Sequence, residues 1–86
     1  MINRDENPVG WAMMVYELAD AHEHLGALLK DIENDPGFSE EEFRVHLGHI
    51  YAHLNRAWRC RLIPEEMTES EWESGREFPD DIQPIA

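Results

Sequence analysis

Apolar positions between Trp11 and Ile32 recur at helical spacing. Trp11, Leu18, Leu25 and Ile32 fall seven residues apart, and Met14, Ala21 and Leu28 stand between them. That period predicts one long amphipathic helix. Val15, His22 and Leu29 widen the stripe, which suits a globular bundle better than a two-stranded coiled coil. The opposite side is half apolar, with Met13, Tyr16 and Ala27 beside Asp20, His24 and Asp31. A second partly apolar side implies a second contact, with the tail or with another chain. Asn7-Pro8 reads as the helix start, because Asn caps and Pro suits the first helical position. Residues 1–7 read as a loose arm, and Asn34-Asp35-Pro36-Gly37 reads as the stop and turn.

A second helix is signalled at once. Ser39 is its cap, Glu42 stands at the capping-box position, and Phe38 with Phe43 occupies the two sites of a hydrophobic staple. Glu40, Glu41 and Glu42 suit the positive end of the helix dipole, and Arg56, Arg59 and Arg61 suit the negative end. The expected stripe is Phe43, Leu47, Ile50, Leu54, Ala57 and Arg61, widened by Tyr51 and Trp58, and Pro64 closes the helix. So short a turn makes the helices antiparallel neighbours, with positions whose numbers sum to roughly 73 at one height. Gly26 and Gly48 then share a level, which suggests close backbone approach. Asn55 is placed to bond across the hairpin, to Tyr16 or to backbone.

Thr68 with Glu71, and Met67 with Trp72, repeat the box and staple signals, and Gly75 ends this short third element. The last stretch reads as extended. The expected fold is all-α: one domain over 1–86, an antiparallel helical hairpin with helices about 8–34 and 40–62, a short third helix over 69–75, and an extended acidic tail over 76–86.

Charge changes this picture by its distribution. The net charge is -12, from 19 acids against 7 bases. Residues 1–38 carry -6, residues 39–62 carry +1 and residues 63–86 carry -7. Such a surface repels nucleic acid and anionic lipid and attracts a basic partner. The hydrophobic share of 42% is that of an ordinary globular protein. Two helices can bury only one stripe apiece, so a homodimer forming a four-helix bundle is expected. No apolar run is long enough to span a membrane. The polar start MINRDENP lacks the pattern of an export signal, and Cys60 is a single cysteine. A cytoplasmic setting is therefore expected.

Candidate chemistry centres on the histidines. His46, His49 and His53, spaced by three and four, share one side of helix two and are the candidate metal ligands. Cys60 continues that side. On the first helix His22 borders the core and His24 lies outward with Asp20, so at most one of the two can join. No H-E-x-x-H motif and no cysteine pair supports the set. Cys60 stands at the wrong end of a helix for an activated thiolate, and no catalytic residues and no cofactor are expected. Trp11, Tyr16, Arg56, Trp58, Arg59 and Trp72 gather at the open end as candidate partner-binding residues, since Arg and Trp favour such surfaces. The functional expectation is a non-enzymatic protein that binds another macromolecule, most simply a protein. The alternative is a metal-binding helical protein using the histidine row.

Overall fold

The computed structural model describes residues 1–86. The chain is all helical: α1 spans Pro8–Asn34, α2 spans Glu40–Cys60 and α3 spans Glu69–Gly75. α1 and α2 form the long hairpin, and α3 packs on α2. No helix is long and apolar enough to cross a membrane.

Local signals account for the boundaries. The Ser39 hydroxyl accepts the backbone N–H of Glu42 at 3.1 Å. At α3 the box is reciprocal: Glu71 N–H donates to Thr68 Oγ1 at 3.1 Å, and Thr68 N–H donates to Glu71 Oε1 at 2.9 Å. α2 stops at Cys60, two residues before the expected end. There the chain tightens into i→i−3 bonds, from Arg61, Leu62 and Ile63 to Trp58, Arg59 and Cys60.

The start of α1 departs from expectation. Asn7 makes no side-chain cap to the helix. Its Oδ1 instead accepts from Asn3 N–H at 3.2 Å, folding the N-terminal arm into a turn. That arm is docked rather than loose. Ile2 is buried, and its N–H donates to Arg61 O at 2.8 Å. Gly10 sits where the first helical turn leaves N–H groups unpaired, and it donates to Pro64 O at 2.9 Å. A Cβ at Gly10 would collide with the backbone of Ile63 and Pro64, so glycine is what permits this approach.

The hairpin's core is small. Ala21, Leu28 and Ile50 form its buried centre, with Phe38 and Leu47 packed against them. Met14, Ala57 and Cys60 are also buried. The rest of the expected stripes is not. Leu18, Leu25, Leu29 and Ile32 stay between 44% and 55% exposed, and Phe43, Tyr51 and Leu54 are exposed too. The reason is angular. Two facing helices cover only the residues between them, and here the stripes are wider than the contact. Nothing lies within 4 Å of a Cβ built on Gly26 or Gly48, so their shared height does not bring the hairpin backbones together.

Candidate functional site

Two places gather chemistry-bearing side chains. The first is the open end, where the tail returns along α2. Asn55 Nδ2 donates to Arg76 O at 2.7 Å, not across the hairpin. Tyr51 meets Phe78 edge-on, with ring centroids 5.1 Å apart. Trp58 Nε1 donates to Asp81 Oδ1 at 2.9 Å, and Arg61 reaches the other oxygen of Asp81 at 3.3 Å. Arg61 also lies over the Trp58 ring, 3.5 Å from its centroid. These contacts divide the expected partner-binding set. Arg56 is only 5% exposed and Trp58 is half covered, so both serve the fold. Trp11 is half buried, and Tyr16, Arg59 and Trp72 remain exposed. Trp72 accepts the Arg56 guanidinium on its face at 4.4 Å.

The indole bond to Asp81 is the main influence holding its carboxyl below the usual 3.8, with Arg61 adding to it. A depressed carboxyl contributes to tail docking above its unfolded value, and the contribution fades as pH falls through the folded one. Acidification below about pH 3.8 should therefore free the tail. The Trp58 indole N–H resonance is expected to shift over that range, and Asp81→Ala to give the acid-type position at pH 7. A resonance indifferent to both changes would show that Asp81 does not hold the tail.

The second place is the flank of the hairpin. His53 is buried on α2, and its Nδ1 lies 2.8 Å from Glu17 Oε2 on α1. The other oxygen of Glu17 accepts from Arg56 Nε at 3.2 Å. On its far side, His53 Nε2 lies 2.9 Å from His49 Nε2. His24 completes the group from α1: its ring centroid is 4.4 Å from that of His49 and 5.3 Å from that of His53, with the latter pair nearly parallel at 13°. One ligand atom from each of His24, His49 and His53 lies within 4.8 Å of the others.

This cluster only partly coincides with the expected row. His49 and His53 belong to it, whereas His46 does not. The His46 ring instead stacks on Phe38, nearer the interhelical turn, at 6.3 Å. His24, which the helical wheel puts outward, is the third member, and His22 is not one. The hairpin contact is rotated toward Glu17 and His24, so Leu18 and Leu25 are left open instead. Glu17–Arg56 and His24–His49 both obey the antiparallel register, which was the available signal for the pairings. Glu17 carries no sequence signal that sets it apart from the other carboxylates of the chain.

Partial desolvation of the ring where it packs against its neighbours, then the His24 and His53 imidazoles, hold the exposed His49 below the usual 6.5, with smaller contributions from Arg56 and His46. Cys60 is 2% exposed. Burial pushes its thiol up from the usual 9.0, Glu17 adds to this and Arg56 opposes it. A buried, protonated thiol is a packing residue. Comparison with protein-family models, with curated proteins and with solved structures gives no match.

Proposed function

We propose that the chain is a non-catalytic binding protein that works as a homodimer, pairing through the open apolar side of the hairpin. The observation carrying this reading is surface area. The chain exposes 6604 Å², whereas a compact monomer of 10.1 kDa exposes roughly 5,300 Å². The excess of about 1,300 Å² is more than the roughly 800 Å² per partner of a standard interface. Part of it belongs to the extended tail, and the rest includes Leu18, Leu25, Leu29 and Ile32 on α1 with Phe43 and Leu54 on α2. The radius of gyration, 14.7 Å, likewise exceeds the roughly 12 Å of a compact chain this long.

A second hairpin supplies the same missing layer in return, giving a four-helix bundle. A basic protein is the partner chemistry that the remaining surface favours. Of the acids in residues 63–86, only Asp81 forms an ion pair. Glu65, Glu66, Glu69, Glu73 and Glu77 are free to meet cations.

Salt separates the two contacts. Pairing brings two chains of charge -12 together, so added salt should strengthen it, whereas salt should weaken attachment of a basic partner. Sedimentation equilibrium is expected to give a mass near 20 kDa, twice the chain. Leu25→Glu is expected to weaken the dimer at least a hundredfold by burying a carboxylate at the pairing face. A parent chain that stays monomeric at high salt and millimolar concentration would sink the reading.

A further inference from the structure

We propose that His24, His49 and His53 form a binding site for one divalent transition-metal ion of the zinc class, with Glu17 as the residue that positions His53. The site is separate from the pairing surface. By helical spacing it occupies the flank of α1 and α2 opposite Leu18, Leu25 and Leu54, and all its ligands come from one chain.

The arrangement of nitrogens carries the argument. Glu17 is bonded to Nδ1 of His53, which holds the ring proton there and leaves the Nε2 lone pair facing outward. That lone pair points at Nε2 of His49, 2.9 Å away. Without an ion, one nitrogen must donate to the other. With an ion between them, both lone pairs are used at once. Two nitrogens bound at about 2.0–2.1 Å to one ion stand about 2.9 Å apart at a right angle and about 3.4 Å apart at the tetrahedral angle. The observed spacing lies at the short end of that span, so the His49–His53 pair needs side-chain movement of only tenths of an ångström, and the exposed His24 closes from within 4.8 Å.

The surroundings match what a histidine ligand requires. A metal-binding imidazole commonly donates its other N–H to a carboxylate, which fixes tautomer and ring orientation. Glu17 does this for His53 and is itself held by Arg56 at 3.2 Å, so that guanidinium is balanced locally. His53 is the buried anchor, whereas His24 and His49 are exposed and free to close on the ion. A set of three imidazoles without thiolate selects zinc, copper, nickel or iron over magnesium and calcium, which prefer oxygen ligands. Three protein ligands leave a fourth position for water.

The test uses full-length protein free of any histidine tag. Zinc is titrated calorimetrically, and cobalt is followed by its visible absorption. One ion per chain is expected, with micromolar affinity or better. His24→Ala and His49→Ala, both at exposed positions, are expected to lower affinity at least tenfold while circular dichroism stays unchanged. His22→Ala and His46→Ala should bind as the parent does. Leu25→Glu should also bind as the parent does, which keeps this outcome independent of pairing. No binding at 0.1 mM zinc, or equal losses for His46→Ala and His49→Ala, would overturn the proposal. So would binding by the dimer alone, because the ligands would then not come from one chain.

Discussion

Glu17→Ala should lower the free energy of unfolding by about 3–5 kcal/mol, the cost of removing one partner from a buried ion pair. Glu17 is the only anion within ion-pair distance of the buried Arg56, and it also holds His53. Its loss leaves a guanidinium that is 5% exposed without an anion, and an imidazole that is 8% exposed without a partner at Nδ1. A domain this long has roughly 4–13 kcal/mol in total, so the variant should be close to unfolding at 37 °C. Glu17→Gln keeps the shape and one oxygen acceptor, and should lose less. Urea unfolding at one fixed protein concentration makes the comparison, since a pairing protein's stability depends on concentration. A loss under 1 kcal/mol for Glu17→Ala would mean that water satisfies Arg56 and His53, and that the flank is looser than its distances indicate.

Gly10→Ala should destabilise by about 1–3 kcal/mol, against the helix propensity of the two residues. Propensity alone favours alanine by about 1 kcal/mol. Here the new methyl would meet the Ile63 and Pro64 backbone, which cannot swing aside as a side chain can. The Gly10–Pro64 hydrogen bond would be lost with it, loosening the turn after α2 and the docked Ile2. Gly26→Ala is the control. Its Cβ meets nothing within 4 Å, so the propensity gain should appear there undiminished. If thermal unfolding shows both substitutions stabilising, the close approach at Gly10 is not needed by the fold.

The caps of α2 and α3 and the turn were legible because they are local. Ser39 and Thr68 act on residues three positions away, and Pro36-Gly37 cannot continue a helix. The antiparallel register followed from turn length, and Glu17–Arg56 and His24–His49 obey it. The candidate site was half legible. Spacing of four put His49 and His53 together, because it is a property of one helix. Choosing His24 over His22, and removing His46, depended on a rotation of the hairpin contact that no single-helix pattern contains. The docking of the N-terminal arm, expected to be loose, has a similar cause. Ile2 is one apolar residue among polar ones, and its burial depends on a carbonyl 59 positions away, at Arg61.

By itself, then, the sequence determined the helices, their ends to within two residues, their antiparallel order and the concentration of acid in the first third and the tail. These follow from hydrogen bonds within a few residues, from periodicity and from counting. The tertiary structure decided which part of each stripe is covered, which histidines meet, where Arg56 finds its carboxylate and that the tail lies on Trp58. Each of those depends on how far two helices rotate against one another. A stripe wider than the contact, as in Leu18, Leu25 and Ile32, permits more than one rotation. Here Glu17 pairs with the buried Arg56 and His53 on one flank, and the apolar excess lies on the other.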